Sequence, residues 1–387
     1  MTASTTQTTV PSSLKVLHVY RTYHPDPIGG LQEAIRQISS SCQPLGIESR
    51  IFTLSPDPHP KVIQRPEGQV IRTRSWLAPA SCDIGGPAAF AEFSRQAKWA
   101  DVINYHFPWP FADMLHLITR PDTPAIITYH SDIVRQKWLG SIYSPLMKTM
   151  LDSMKFIVAT SPNYAQTSEI LNSIPGKERI HVIPLGIEES SYPDRGDDNI
   201  LQRLGLVEDE PFFLFVGVLR YYKGLRTLIK AAPSVPAKIV IAGTGPEGNY
   251  IEDQIKEQGL KNIVLAGQIT DAEKVSLLEH CTTLVLPSHL RSEAFGVVLI
   301  EASMFSKPMI SCEIGTGTSF VNKHGETGYV VEPNTPAQIA DAMNRLLSSP
   351  ETANKFGAQA RKRYEQLFSG SALGSAYSEL YKKAICS

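Results

Sequence analysis

The sequence predicts two consecutive open α/β domains, each built around a mostly parallel β-sheet. Short apolar runs of strand length alternate with amphipathic stretches through most of the chain, which is typical of parallel strands covered by helices. A polar stretch without an apolar period, residues 188–199, interrupts this alternation, which then restarts. The eight evenly spaced βα repeats of a closed barrel are missing, so the pattern favours two domains over one barrel.

Length and composition agree with this prediction and exclude several classes of protein. The chain has 387 residues, which suits two domains of about 100–200 residues each. Its 42% hydrophobic and 19% charged residues exclude wholesale disorder. The 37 Lys and Arg residues balance 38 Asp and Glu residues, and the net charge of -1 argues against a dedicated nucleic-acid-binding protein. We therefore expect no nucleic-acid partner.

The predicted domain limits follow from the same pattern. They are a flexible tail at 1–13, an N-terminal domain at 14–187, a linker at 188–199, a C-terminal domain at 200–362 and a helical segment at 363–387 that packs back on the first domain. The tail is polar and lacks the basic and apolar regions of a secretory signal. No apolar stretch approaches the roughly 20 residues of a membrane span, and the five cysteines are scattered. We expect a reduced, cytoplasmic protein.

The predicted strands can be read directly from the apolar runs. In the first domain they are KVLHVY, SRIFTL, QVIRT, DVINYHF, AIITYH, KFIVAT and IHVIPL, and in the second FFLFVGVL, AKIVIAG, NIVLAG, TTLVLPS, PMISC and GYVVEP. From Ala337 onward the pattern is helical. Ligands of open α/β sheets bind at the carboxyl ends of strands, so two such domains facing each other would hold a ligand in the cleft between them.

A glycine motif follows the second strand of the second domain. Gly243, Gly245 and Gly248 match G-x-G-x-x-G, which raises the hypothesis of an NAD-binding fold. The motif does not lie at the start of its domain, however, and the next strand ends in Gly267 with no acid for a ribose. Two interpretations remain, a turn that approaches a phosphate and a tight turn without a ligand.

Two glutamates flank a predicted buried helix in SEAFGVVLIEASM. Glu293 and Glu301 stand eight positions apart, and the helix is expected to start near Phe295–Gly296. Eight helical residues cover about 12 Å, close to the distance from hexose to ribose in a sugar nucleotide. A pyrophosphate would then meet the amides at the helix start. We expect Glu293 to face the sugar hydroxyls and Glu301 the ribose hydroxyls.

These motifs together resemble the retaining GT-B glycosyltransferases, a large family that includes sucrose synthase and bacterial lipopolysaccharide mannosyltransferases. The resemblance covers nearly the whole chain and rests on PIGGLQEAI, TYHSD, VGVLRYYKGL, AGTGPE, SEAFGVVLIEA and GETGYVVEP. It implies the GT-B architecture, two Rossmann-like domains facing a central cleft with a helical C-terminal tail. The stretches TYHSDIVRQKW and EIGTGTSF look most like enzymes that use GDP-mannose or GDP-rhamnose to build surface polysaccharides.

The resemblance also implies roles for individual residues. The missing side chains of Gly29 and Gly30 would let backbone approach the phosphate or sugar. His130 would contact the donor sugar near the reacting carbon, and Lys223 would neutralise the diphosphate. The implied catalytic residues are His130, Lys223 and Glu293, and the implied donor-binding residues are Gly29, Gly30, Arg220, Lys223, Gly243, Gly245, Glu293, Phe295, Gly296 and Glu301.

The sequence departs from the family pattern at one position. Relatives commonly carry an arginine where this chain has Val218, and Arg220, two residues later, is the candidate for the second positive charge. The chain also contains no D-x-D, the carboxylate motif that holds a metal on a diphosphate in the alternative architecture. We therefore expect Lys, Arg and a helix dipole to bind the diphosphate, with no metal and no cofactor.

The acceptor side is less marked in the sequence. His106 follows a first-domain strand and is a candidate for acceptor contact, with a structural role as the equal alternative. Basic and aromatic residues downstream fit either an anionic membrane surface or an ordinary helix face; they are Arg135, Lys137, Trp138, Tyr143 and Lys148. We predict weak peripheral binding to the inner face of the cell membrane.

The resemblance implies a hexosyl transfer with retention of anomeric configuration. The hexose would be mannose or rhamnose, the donor GDP-linked and the acceptor a lipid-linked saccharide of polysaccharide or lipopolysaccharide (O-antigen) synthesis. Three alternatives stay open, since related folds host other activities: a sugar-nucleotide epimerase, a phosphorylase and an inactive nucleotide-sugar-binding subunit. Acceptor-dependent release of GDP separates the transferase from the epimerase and the inactive subunit.

Overall fold

The computed structural model describes residues 13–26, 29–79, 82–132, 137–207 and 210–386, with the side chains of 137–142 left out of that description. The chain forms two compact units. The first comprises the chain up to Thr160, Ser168–Gly186 and the chain from Gly370 onward; the second comprises Ser161–Thr167 and Ile187–Ser369. The stretch 188–199, which reads as a linker in the sequence, belongs to the second unit.

The first unit is built around a nine-stranded sheet within the described residues. Its strands are β1 (Leu14–Val19), β2 (Ile47–Ser55), β3 (Val62–Arg65), β4 (Gly68–Leu77), β5 (Ile84–Gly85), β6 (Val102–Phe107), β7 (Ala125–Tyr129), β8 (Phe156–Ala159) and β9 (Ile180–Val182). The order is β3-β4-β2-β1-β6-β7-β8-β9, with β5 also paired to β4. Only β3 and β5 run antiparallel to their neighbour.

All seven apolar runs predicted in the first domain are strands of this sheet. The two strands that the sequence did not reveal, β3 and β5, are short and half exposed, so they carry no continuous apolar signal. The strand order reverses between β1 and β6, which pair in parallel. This reversal is the topological switch point at which open α/β sheets bind ligands.

Helices cover both faces of the first sheet. They are α1 (Gly30–Cys42), α2 (Pro87–Trp99), α3 (Pro110–Thr119), α4 (Lys137–Ser153), α6 (Glu169–Ser173) and the C-terminal α15 (Gly370–Cys386). Helix α15 buries a stripe that contains Leu373, Tyr377 and Tyr381 in the core beneath β1, β6 and β7. A Cβ on Gly374 would lie 2.1 Å from the Ser41 carbonyl oxygen, so glycine permits the close approach of α15 to α1.

The described residues of the second unit contain a six-stranded, fully parallel sheet. Its strands are β10 (Phe212–Val216), β11 (Lys238–Ala242), β12 (Ile263–Gly267), β13 (Thr283–Leu286), β14 (Met309–Cys312) and β15 (Gly328–Val331). All six were predicted as apolar runs. The order β12-β11-β10-β13-β14-β15 is that of a dinucleotide-type Rossmann sheet, with its switch point between β10 and β13.

The remaining helices belong to the second unit. They are α5 (Pro162–Thr167), α7 (Asn199–Arg203), α8 (Leu225–Ala231), α9 (Gly248–Glu257), α10 (Asp271–His280), α11 (Val297–Met304), α12 (Thr318–Val321), α13 (Pro336–Ser348) and α14 (Pro350–Arg363). A π-helical turn at Tyr364–Phe368 follows α14 and ends this unit. In the described part of the chain, none of the helices combines the length and apolar character required to cross a membrane.

Candidate active site

Lys223 and Glu293 lie on neighbouring loops at the switch point of the second unit. Lys223 ends a 3-10 turn after β10, and Glu293 lies on the loop after β13. Gly224, which directly follows Lys223, adopts φ 74°. A Cβ at this position would lie 1.9 Å from the carbonyl oxygen of Pro287, on the loop that carries Glu293. Only glycine allows this contact, which brings the two loops together and sets Lys223 beside Glu293.

Lys223 and Glu293 form a largely buried ion pair. The ammonium of Lys223 donates to Glu293 Oε2, and Ser288 Oγ donates to the same oxygen at 3.1 Å. The two charged side chains are 12% and 11% exposed. Burial disfavours the charge on Lys223, but the Glu293 carboxylate outweighs it and raises the lysine pKa. The lysine is therefore a fixed cation at the end of β10.

Glu301 forms a second buried cluster on α11. Its Oε1 accepts from Lys274 Nζ at 3.0 Å and from the Tyr192 hydroxyl, and the residue is 7% exposed. Lys274 Nζ also lies 4.8 Å from the centre of the Tyr192 ring. Burial opposes the charge on Lys274, but Glu301 raises its pKa. Among the described residues, no hydrogen-bond partner uses Glu301 Oε2, and its contact with a ligand hydroxyl stays a prediction.

Helix α11 begins where the sequence predicted, at Val297 directly after Gly296. Gly296 precedes the first helical residue with φ 81°, a conformation that favours glycine. Phe295 directly precedes Gly296, and its side chain packs inside the second unit. Its ring is buried, 3% exposed, and packs edge-on against Phe368 with ring centres 6.3 Å apart. The Phe295 ring therefore helps to fix the loop before α11; a donor contact at this residue stays a prediction.

Gly243 and Gly245 are explained by packing between loops. A Cβ on Gly243 would lie 2.0 Å from the Gly217 carbonyl oxygen, and one on Gly245 would lie 2.6 Å from backbone atoms of Leu219. Backbone hydrogen bonds join the same loops, including Leu219 N to Thr244 O at 3.0 Å. Of the two interpretations of this motif, the tight turn has a direct structural reason; a donor contact at these glycines stays a prediction.

Val218, at the position of the family arginine, and Arg220, two residues later, are both exposed. Val218 is 51% exposed, and Arg220 lies at the start of the 3-10 turn that carries Lys223. Among the described residues, no ion pair or side-chain hydrogen bond holds the Arg220 guanidinium. Arg220 remains the candidate for the second positive charge at the diphosphate, since no described acidic side chain pairs with it.

In the first unit, Gly29 and Gly30 begin α1 beside the switch point. The Gly29 amide donates to Gln32 Oε1 at 3.0 Å. A Cβ on Gly30 would meet no described atom within 4 Å, and the residue is exposed. The packing of the described residues therefore supplies no reason for a glycine at position 30. This is the pattern expected if the missing side chain makes room for a ligand.

His106 is buried between two other histidines of the first unit. The residue is 1% exposed, and both ring nitrogens are occupied. Its Nε2 lies 3.0 Å from His18 Nδ1, and its Nδ1 lies 3.0 Å from His130 Nε2. These contacts favour a structural role for His106, and contact with an acceptor stays a prediction. His130 is the last of the three and is 5% exposed.

No group of three or more His, Cys, Asp and Glu residues is arranged to hold a metal ion in the part of the chain that the structure describes. The three histidines just described form a line of hydrogen bonds instead of converging on one point. Independence of a metal stays a prediction for experiment.

Comparison with known proteins identifies the family. The model for Glycosyltransferase Family 4 matches residues 28–191, and that for Glycosyl transferases group 1 matches residues 196–363. D-rhamnosyltransferase WbpZ of Pseudomonas aeruginosa is 44% identical over 92% of this chain and 92% of its own. O-antigen chain mannosyltransferase C of Escherichia coli is 41% identical over 95% and 98%. The chain is a family 4 glycosyltransferase.

Solved structures agree on the fold of this glycosyltransferase. Sucrose-phosphate synthase from Thermosynechococcus elongatus aligns with a TM-score of 0.77 at 23% identity, covering 96% of this chain and 99% of that one. HepE of Anabaena, solved in complex with UDP, aligns with the same TM-score at 17% identity, covering 96% and 100%. At these identities the likeness establishes the GT-B fold and nothing about the substrates.

Sequence reasoning missed several described residues of the glycosyltransferase that contact candidate site residues, and four of them hydrogen-bond with the side chain of a candidate. They are His18, Tyr192, Lys274 and Ser288. Nothing in the sequence indicated Tyr192, because this residue lies in the polar stretch 188–199, which was interpreted as a linker. His18 did carry a signal, since KVLHVY places a polar side chain inside an otherwise apolar buried strand.

Proposed function

We propose that this enzyme transfers a mannosyl or rhamnosyl group from a GDP-linked donor to a lipid-linked saccharide in O-antigen synthesis, with retention of configuration. Support comes from the two relatives above, whose names specify D-rhamnosyl transfer and O-antigen chain mannosyl transfer and whose similarity spans more than nine-tenths of this chain. Both are compared over nearly their full lengths, so the likeness is not confined to one domain.

The observation that carries the proposal is the pair of charged clusters in the second unit. One cluster, Lys223 with Glu293, lies at the Rossmann switch point. The other joins Glu301 on α11 to Lys274 on α10. We assign the diphosphate to Lys223 and the first amides of α11, the sugar hydroxyls to Glu293 and the ribose hydroxyls to Glu301. His130 is assigned to the transferred sugar, as the family resemblance implies.

The chemistry that we propose needs no nucleophile on the protein. The acceptor oxygen forms its bond to the anomeric carbon on the face from which the diphosphate leaves, and the acceptor proton passes to a diphosphate oxygen. Negative charge grows on the diphosphate as its bond breaks. The fixed ammonium of Lys223 stabilises that charge, an electrostatic contribution of about 3–4 kcal/mol for one well-placed group in enzymes of other classes. Arg220 would add a second positive charge.

A thermal-shift panel tests the donor assignment. We expect GDP-mannose or GDP-rhamnose to raise the melting temperature more than UDP- or ADP-sugars do, with or without EDTA. A ligand present at 100 times its dissociation constant stabilises the fold by about 2.7 kcal/mol. A larger shift with a UDP-sugar overturns the GDP assignment. A shift that requires added Mg²⁺ or Mn²⁺ contradicts diphosphate binding by Lys223 and a helix alone.

We also propose that the enzyme binds the inner face of the membrane weakly, through α4 and the segment before it. Lys148 is exposed on α4, which supports this. Tyr143 does not contribute, because its hydroxyl donates to the buried Asp113 carboxyl on α3. Burial raises the pKa of Asp113 to about 8. Arg135 lies outside the described residues, and the side chains of Lys137 and Trp138 are not described.

Sedimentation with vesicles tests this association. We expect the enzyme to pellet with anionic vesicles at low salt and to remain in the supernatant at high salt, since each basic residue contributes about 1 kcal/mol near such a surface. The double variant Lys137→Glu, Trp138→Ala should lose most of this binding. Lys261→Glu, an exposed charge reversal in the second unit, is the matched control. Equal pelleting of the double variant and the control means that α4 is an ordinary solvated helix face.

A further inference from the structure

Three buried histidines step diagonally across the centre of the first sheet. His18 on β1 pairs in register with Asn104 on β6, and His106 lies two residues beyond Asn104. His106 in turn pairs with Thr128 on β7, and His130 lies two residues beyond Thr128. Because side chains two residues apart share a face of a strand, all three imidazoles lie on one side of the sheet.

The three rings touch in sequence. Neighbouring rings stack with centres 5.3 Å apart in both pairs, at interplanar angles of 27° and 23°. Each contact joins one ring nitrogen of one histidine to one of the next at 3.0 Å. These are hydrogen-bond distances, and a nitrogen-to-nitrogen hydrogen bond requires a proton on one partner and a lone pair on the other.

All three rings are neutral near pH 7. Burial lowers the pKa of His18 to about 3 and that of His130 to about 4. Burial, with the neighbouring rings His130 and His18, also holds the pKa of His106 well below its ordinary range. A neutral imidazole has one N–H and one lone pair, so a ring that donates through one nitrogen must accept through the other. The middle ring, bonded on both sides, therefore transmits the orientation of one bond to the next.

We propose that His18, His106 and His130 form a relay in which the three rings share one tautomer, so that His18 and His106 determine which nitrogen of His130 carries its proton. Only two arrangements satisfy both hydrogen bonds. Either every ring carries its proton on Nδ1, and His130 Nδ1 is a donor, or every ring carries it on Nε2, and His130 Nδ1 is an acceptor. Mixed arrangements place two protons or two lone pairs in one contact.

Two tyrosines of the C-terminal helix α15 hydrogen-bond to Asn104 and Thr128, the residues next to the relay on β6 and β7. Tyr381 Oη accepts a hydrogen bond from Asn104 at 3.0 Å, Tyr377 Oη lies 3.1 Å from Thr128 Oγ1, and Thr128 donates to Asn104 Oδ1 at 3.0 Å. Asn104 lies two residues before His106 on β6, and Thr128 lies two residues before His130. These bonds fix the two strands beside the rings, so the relay lies on a rigid support.

The relay makes His18 a positioning residue for the reaction, and this part rests on the proposed role of His130 at the transferred sugar. His18 is two hydrogen bonds away from His130 and is 1% exposed, so we infer that it acts through the other two rings. A histidine in the wrong tautomer offers a lone pair where the substrate requires a proton, or the reverse, which lowers the rate strongly in other enzymes that orient a functional histidine.

Nuclear magnetic resonance of the full chain with ¹⁵N-labelled histidine rings tests the relay itself. The three rings are assigned from the variants His18→Gln, His106→Gln and His130→Gln. At pH 7 we expect each ring to show one protonated and one unprotonated nitrogen, with the protonated position identical in all three. Different positions among the three rings, or a ring protonated on both nitrogens, overturn the proposal whatever the substrate of the enzyme is.

Kinetics of His18→Phe test the effect on catalysis. We expect kcat for glycosyl transfer to fall about tenfold or more per folded molecule, with the donor KM within about twofold. The ¹⁵N spectrum of this variant should show His130 in a mixture of tautomers. His181→Phe, on β9 of the same sheet, is the matched control and should leave kcat unchanged. An unchanged kcat in a folded His18→Phe enzyme overturns the positioning role, whereas loss of transfer only in His130→Gln supports the proposed function without the relay.

Discussion

Replacing Lys223 with methionine is expected to lower kcat/KM for glycosyl transfer by about 100- to 1,000-fold, the largest effect of any single substitution considered. The ammonium is held by Glu293 at the end of β10, where it meets the leaving diphosphate in the proposed mechanism. Methionine keeps most of the length of the side chain and removes its charge. Removal of one electrostatic stabiliser of a developing anion costs about 3–4 kcal/mol in other enzymes.

A loss of stability must be separated from this loss of activity. Without Lys223, the Glu293 carboxylate, 11% exposed, keeps only Ser288 as a partner among the described residues, so the single variant should also melt at a lower temperature. The double variant Lys223→Met, Glu293→Gln removes both charges and should recover most of that stability without recovering activity. Lys230→Met, an exposed lysine on α8, is the matched control. Recovery of activity in the double variant would mean that Lys223 serves the fold and not the diphosphate.

Replacing Glu301 with glutamine is expected to weaken GDP binding by about 10- to 100-fold, while kcat at saturating donor changes much less. The proposed position of Glu301 is at the ribose, away from the reacting carbon. Loss of charge-assisted hydrogen bonds costs about 1.5–3 kcal/mol, and each 1.4 kcal/mol is a tenfold change in the dissociation constant. Calorimetry of GDP binding to the two proteins measures this directly.

A ligand without ribose hydroxyls sharpens the same test. The affinity for 2′,3′-dideoxy-GDP should be nearly equal in the parent enzyme and in Glu301→Gln, because the hydroxyls that Glu301 would bind are absent. Tyr192→Phe removes a hydrogen bond to Oε1 and should weaken GDP binding less than Glu301→Gln does. If Glu301→Gln weakens both nucleotides equally, the carboxylate stabilises the loop or binds another part of the donor, and the ribose assignment is wrong.

The fold was accessible from the sequence because parallel strands are buried on both faces. All thirteen predicted apolar runs are strands, since continuous burial produces continuous apolar sequence. β3 and β5 escaped notice because edge strands face solvent and carry mixed residues. The helix after Gly296 was visible for a similar reason: seven of the eight residues of α11 are buried.

The contacts between site residues were much less accessible. The motif spacing indicated Lys223, Glu293 and Glu301 but not their partners, because Lys274 and Tyr192 reach Glu301 from positions 27 and 109 residues away. The packing of the Phe295 ring on Phe368 was also not visible in the sequence, since a motif marks where the chain passes and not which way each side chain faces. The histidine relay depends on the register of β1, β6 and β7, which no local pattern specifies.

The proposed reaction is acceptor-dependent transfer of a hexose from a GDP-sugar with retention of configuration. Its most direct measurement is the reaction of the purified enzyme with GDP-mannose or GDP-rhamnose in the presence and absence of a lipid-linked saccharide. We follow GDP release and determine the anomeric configuration of the new linkage by nuclear magnetic resonance. The proposed reaction predicts GDP release that depends on the acceptor and a product with one added sugar in the donor's configuration. Equal GDP release without acceptor, no transfer from either donor, or an inverted linkage would contradict it.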